Sequence, residues 1–408
     1  MSRLSQFTES CSASSRDASP VSVRSVLVLS ALAWPASALG GQVAPWTLVP
    51  SVKIGEALDA ETGLTRVGHV VHDRDRILVS QPDEHHVRIF SRDGTPLGII
   101  GRRGQGPGEF EEVSRVGLHG DQIWVSDGLL GRVSFFDSAY EYVSSVSVRG
   151  HPTMDASRFD VRAVLADGSL FAMRRRSAVE ASDPSQPPQY VFRLHPGGVL
   201  RDTVTSLPGL SPVAEIRDGL RPQRRVFVIR PIVNRSLWSA VPDGTGFVIV
   251  HQETMTGREP HTYSVTRFGD PADTVFTRSL RYRPVPVPDD WLRREVDKQV
   301  RTGEGGGGGS VADVVRFRRA VREAIDVFDF FPPVAGLHAA ADGLTWLKLR
   351  TGGDSFDWAV LDETGREIRR VRAPAGLGLA SADRNGAWFV EHDHFDIPYL
   401  VRYDFPPP

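Results

Sequence analysis

The sequence predicts an all-β fold: a six-bladed β-propeller of four-stranded antiparallel blades, closed by an N-terminal strand, with a two-helix insertion between blades four and five. Three observations point to it. Short runs rich in Val, Ile, Phe and Trp recur along the 408 residues with Asp-Gly and Pro punctuation, the pattern of strands joined by tight turns. Groups of four such runs take roughly 40 to 45 residues, the length of one propeller blade. A lone strand-like run, 46–54, precedes the first group, and the last group is one strand short.

The first residues read as an address label. Arg24 precedes the apolar run 26–34, and Ala36, Ser37 and Ala38 offer the small side chains that a signal peptidase accepts. The run is shorter than the roughly 20 apolar residues that span a bilayer. Residues 1–40 are therefore expected to be a signal peptide, and the protein to be exported to the periplasm or beyond the cell. The Ser-rich stretch before Arg24 is long for such a signal, which predicts a later true start. Cys11, the one cysteine, lies ahead of the run. The exported protein then has no thiol, which excludes disulfides, Cys-ligated zinc and Cys nucleophiles.

The propeller is assigned to 46–405. Blade one is read at 68–71, 77–80, 87–90 and 97–100, and blade two at 113–148 on the same plan. Blade three starts at 162–165 and resumes at 169–173 and 190–194, around a loop rich in Pro and Ser. Blade four takes 237–240, 247–250, 261–265 and 273–276; blade five has strands at 344–349, 357–361 and 368–371. Blade six has 387–390 and 399–403 and lacks its outermost strand, so 46–54 is expected to fill that edge and seal the ring.

The insertion, 284–333, is the one segment read as non-β. Asp289 and Asp290 are good N-caps, and Leu292, Val296 and Val300 follow at helical spacing. Five glycines at 305–309 form a linker. Val314, Phe317, Val321, Ala324 and Phe328 then mark the apolar face of a second helix. Two amphipathic helices must bury those faces, most simply against the propeller.

The run Ile89-Phe90, Gly94, Leu97, Ile100-Gly101, Gly104 and Gly106-Pro107-Gly108-Glu109-Phe110 resembles the NHL-repeat-type six-bladed propellers of exported bacterial proteins. So does its continuation in Ile123-Trp124-Val125-Ser126-Asp127, Arg132-Val133 and Phe136-Asp137. Later blades lack the Gly-Pro-Gly-Glu-Phe connector, and the insertion is no part of the repeat. The resemblance implies the fold; the group includes binding scaffolds as well as a few lyases and lactonases, so it leaves activity open.

A formal net charge of −2 gives no electrostatic case for nucleic acid or an anionic membrane as partner. No Gly-x-Ser-x-Gly, His-Glu-x-x-His or calcium-loop pattern occurs. The glycines of 101–108 lack Gly-Lys-Ser/Thr and lead into β, so they read as a blade connector rather than a phosphate loop. Glu391-His392-Asp393-His394 offers two same-face imidazoles without a third ligand, and His85-His86 reads as a polar loop. No cofactor and no metal are expected.

What remains is the channel, lined by the first strand of each blade. Aligning blades two and three on their turns sets Arg115 in register with Arg162, with Arg66 and Arg235 near the starts of the matching strands and His338 in blade five. Arginine presents a planar fork to carboxylate or phosphate, so these residues predict a channel suited to an anionic ligand. The expected role is a monomeric binding or interaction propeller whose partner is a protein, peptide or small anionic ligand. The alternative is a metal-dependent hydrolase or lyase of lactonase type on the channel axis, for which only Asp160 and Asn234 lie near.

Overall fold

The computed structural model describes residues 46–405 apart from 48, 56–61, 74, 149–158, 177, 184–187, 209–212, 218–224, 233–235, 253–260, 270–272, 304–310, 326–327, 353–354 and 373–376. Six antiparallel blades of four strands form the fold. Blade one comprises Val70–His72, Arg76–Gln81, His86–Ser91 and Pro96–Ile100. Blade two comprises Val113–His119, Gln122–Asp127, Arg132–Phe136 and Tyr142–Ser147. Blade three follows with Phe159–Val164, Leu170–Arg174, Gln189–Leu194 and Leu200–Leu207. Blade four has Leu237–Ala240, Gly246–Gln252, Thr262–Gly269 and Thr274–Arg281. Blade five has Val334–Ala339, Thr345–Gly352, Ser355–Leu361 and Glu367–Arg372. Gly378–Asp383, Gly386–His392 and Pro398–Asp404 give blade six three strands, and Val49–Ile54 supplies the fourth.

The core is a ring of seams. Each of the six interfaces between neighbouring blades holds its own cluster of buried side chains. Phe110 and Phe136 fill the seam between blades one and two, and Trp346, Trp358 and Phe389 that between five and six. Because each blade is covered on both faces, inner strands such as Arg76–Gln81 and Gln122–Asp127 are buried from their second residue on. Outermost strands face water: Tyr142–Ser147 is almost wholly exposed.

The turns follow the sequence's Asp-Gly punctuation. In 167–169 the Asp167 carboxylate accepts from the Ser169 N–H at 2.9 Å, and Gly168 adopts φ +78°, which a side chain would resist. The glycine-rich connector is tied down from within. Glu109 pairs with Arg102 at 2.9 Å and accepts from the Gly106 N–H at 2.9 Å. Arg132 of blade two donates to the Gln105, Gly106 and Glu109 carbonyls. Gly101, at φ +88°, lies against the Phe110 ring, where an added Cβ would sit 2.3 Å from it.

Closure has two parts rather than one strand. Val49–Ile54 runs antiparallel to Pro398–Asp404, with Ile54 opposite Leu400, and Trp46–Thr47 pairs in parallel with Glu367–Arg372 of blade five.

The two-helix insertion stands between blades four and five as expected, but what its helices pack against is different. The loop rich in Pro and Ser carries a short helix, α1 (Ala178–Ser182). Between blades three and four stands a hairpin, Val213–Arg217 with Arg225–Ile229, that the periodicity did not reveal. Helices α2 (Asp289–Gly303) and α3 (Val311–Ile325) follow blade four. Leu292, Val296, Val300, Val321 and Ile325 close on Ala214, Ile216 and Val228 of that hairpin, so the helices bury their faces there. Val314 is 37% exposed, and Phe328 lies past the end of α3, where it joins Ile232 and Phe331. In an antiparallel blade, connections from second to third strand and from blade to blade leave on one face of the ring. Helix α1, the hairpin and the α2–α3 pair all use such connections, so this accessory layer lies on one face of the ring. Among the described residues no helix is long and apolar enough to cross a membrane.

Candidate functional site

The first strand of every blade contributes to a central cavity of about 300 Å³. His69 and Val70 come from blade one, Arg115 and Val116 from blade two, and Arg162 from blade three. Trp238 and Ser239 come from blade four, Leu337 and His338 from blade five, and Leu379 and Ala380 from blade six. The ring geometry converges these side chains although they are spread over more than 300 positions of the chain.

Arg162 is paired with Asp160 at 2.7 Å. Arg115 has no hydrogen bond or ion pair among the described residues. Burial, then the neighbouring Arg162 charge, pulls its guanidinium down to about 10, against a smaller opposing pull from Asp160. It stays cationic at neutral pH. Burial, and next the His72 ring, lowers His338 to about 4, and its Nε2 is buried with no partner. His69 keeps some accessible surface inside the channel, yet protein crowds it closely. Burial first, then Arg115, His338 and Arg162, hold its imidazole well below the ordinary range despite the Val116 carbonyl. Both histidines are therefore neutral at neutral pH. His69 Nδ1 lies 3.0 Å from the Val116 carbonyl oxygen. A carbonyl only accepts, so Nδ1 carries the proton and Nε2 is left as an acceptor.

Of the five residues picked from sequence, the fold brings three together: Arg115, Arg162 and His338. Arg66 is not a channel residue. It precedes the innermost strand, and its side chain, 63% exposed, turns outward to Asp83 at 3.1 Å. Arg235 and Asn234 lie outside the described residues. His69 was missed because it stands one residue before its strand, and nothing local marks it as facing the axis.

A second constellation joins blades one and six at the far ends of their first strands. His72 Nδ1 lies 2.7 Å from Ser381 Oγ, and its Nε2 3.1 Å from Asp383. The order serine, imidazole, carboxylate suits nucleophilic chemistry, but Ser381 is 2% exposed and closed to a substrate. Asp383 also takes both guanidinium nitrogens of buried Arg402 at 3.1 Å and the Asn385 and Gly386 N–H groups. Hydrogen bonds from His72 and Arg402 outweigh burial and hold this carboxyl well below the usual range. The cluster staples the ring where it closes. In the remaining polar loops, His85 Nδ1 meets the Glu111 carbonyl at 2.9 Å, and Asp393 accepts from the Phe395 and Ile397 N–H groups. Among the described residues no three His, Cys, Asp or Glu side chains converge as a metal shell would.

Fold and site together define a six-bladed propeller with a cationic central cavity. No protein-family model matches the chain, and no curated protein matches it in sequence. Solved structures do resemble it in fold. A Bacteroides fragilis protein described as exported aligns over 88% of this chain and 96% of its own, at 10% identity and a TM-score of 0.46. The calcium-binding protein regucalcin of Agrobacterium tumefaciens aligns over 88% and 96%, at 12% identity and 0.37. The aldose sugar dehydrogenase of Streptomyces coelicolor, solved with PQQ, aligns over 87% and 99%, at 14% identity and 0.38. Likeness at this level carries no argument about activity.

Proposed function

We propose that this chain is an exported binding propeller that takes a small anionic ligand in its central cavity. One observation carries the reading: Arg115 is a charged guanidinium enclosed in the channel without a counter-charge of its own. A cation partly withdrawn from water without a partner carries a desolvation cost, and an anion entering the cavity would relieve it. Arg162, with Nε unpartnered, and His338 Nε2 supply further polar contacts. The apolar run 26–34 and Ala36 to Ala38 support export, with residues 1–40 removed, and the connector at 101–110 supports kinship with the NHL-type propellers. A lactonase-like metal enzyme would need several carboxylates or amides on the axis. The described lining has none, and nearby Asp160 is engaged with Arg162.

The test is thermal unfolding of the mature protein across a panel of small carboxylates, phosphate and sulfate, since a ligand that binds only the folded state raises the midpoint by mass action. A concentration-dependent rise with at least one anion is expected, and Arg115→Ala weakens that binding by about 2 kcal/mol, roughly 30-fold. No response to any anion, unchanged by the substitution, defeats the reading. Elemental analysis that finds a stoichiometric divalent ion would favour the enzyme instead, and N-terminal sequencing of the secreted protein checks the cleavage near Ala38.

A further inference from the structure

The charge balance and the tautomer of His69 narrow the ligand. Building on the anion-binding reading, we infer that the cavity takes a short monocarboxylate bearing a hydroxyl beside the carboxylate, rather than phosphate or a dicarboxylate.

Among the described residues the cavity cluster carries two guanidinium charges, Arg115 and Arg162, against the single carboxylate of Asp160. His69 and His338 are neutral, so one positive charge is left over. A monoanion cancels it. A dianion would leave a net negative charge in an enclosed site, where like charges interact far more strongly than in water. The geometry of the free cation agrees, because a guanidinium fork meets the two oxygens of a carboxylate in one plane.

The imidazoles then say what stands beside that carboxylate. With Nδ1–H committed to the Val116 carbonyl, His69 offers the cavity only the lone pair of Nε2. A carboxylate oxygen has no proton to give it, and dihydrogen phosphate, which has one, brings no carbon to cover the apolar part of the lining. A ligand that fills the cavity must place a donor there, and a hydroxyl is the smallest group that donates without adding charge. His338 Nε2 has no partner and can meet the same hydroxyl or the carboxylate according to its tautomer. The rest of the described lining holds Ser239, whose hydroxyl accepts from the Ala339 N–H, the indole of Trp124, and the apolar Trp238, Leu337, Leu379 and Val390. At about 300 Å³ the space lies at the small end of ligand sites, roughly 300–1,000 Å³, which admits an acid of up to about a dozen non-hydrogen atoms, lactate being a small probe of the class.

Isothermal titration of the mature wild-type protein with lactate, propionate, malonate and inorganic phosphate at neutral pH tests this, alongside His69→Leu and Arg115→Ala. Lactate is expected to bind at least tenfold more tightly than propionate, malonate or phosphate. His69→Leu brings lactate and propionate to within about twofold of each other while both still bind, and Arg115→Ala weakens the two together. Malonate binding as well as lactate overturns the monoanion assignment, phosphate binding as well as lactate overturns the carboxylate assignment, and either leaves the anion site standing. Propionate equal to lactate on the wild-type protein overturns the hydroxyl assignment whatever the variants do. Heats absent for all four ligands overturn both, and with them the anion-binding reading.

Discussion

Burial sets the charge of the channel side chains in different ways for imidazole and guanidinium. His338 falls to about 4 and goes neutral, whereas Arg115, lowered to about 10, still keeps its proton. The histidine makes stability depend on pH. Its folded-state pKa lies below the unfolded value near 6.5, so the unfolded chain binds the extra proton first as pH falls. Stability is therefore full above pH about 6.5 and drops between about 6.5 and 4, by at most about 3 kcal/mol. Urea midpoints of His338→Gln should show a shallower slope across that window, and an unchanged slope would move the acid sensitivity elsewhere. Arg115 and Arg162 were legible as a pair because both follow a strand entry and precede an alignable turn, so counting residues placed them in register. His72, Ser381 and Asp383 were not: hydrogen bonds spanning 309 and 311 positions leave no local pattern.

Among the elements, the N-terminal segment has the largest consequence for its size. Ile54 is 2% exposed and packs with Trp388 and Leu400 of blade six and Val70 and Ile77 of blade one. Ile54→Ala should cost about 2–4 kcal/mol, measured by chemical unfolding. Removal of Val49–Ile54 would bare the Pro398–Asp404 edge, and light scattering should then report association through it. Closure could be read from sequence because a missing strand and a spare one can be counted. The hairpin at Val213–Arg217 and Arg225–Ile229 could not, since two short runs outside the blade period have no slot in a repeat count. That omission also misdirected the helices: their spacing showed which faces are apolar and not what covers them.

At the scale of the molecule, the accessory layer has a core of its own. Val321, fully buried among α2, α3 and the hairpin, shares no cluster with the six seams. Val321→Asp should therefore loosen the layer and leave the ring intact. Far-ultraviolet circular dichroism would lose helical signal, while the near-ultraviolet signal of Trp124, Trp346 and Trp388, all buried in the seams, persists. Loss of both signals at one midpoint would show that the layer and the ring unfold as a unit. The divided closing segment also imposes an order of assembly. Trp46–Thr47 rests on blade five and Val49–Ile54 completes blade six, so the strand made first is placed last. On a ribosome it waits through some 350 residues, the separation bridged when Ser51 reaches the Arg402 carbonyl. The entropy of so long a loop grows only with the logarithm of its length, about 0.6 kcal/mol per doubling, so the delay is chiefly one of time. A nascent chain cut short before Pro398 leaves Val49–Ile54 without a berth, and the ring stays open until Pro398–Asp404 has been made.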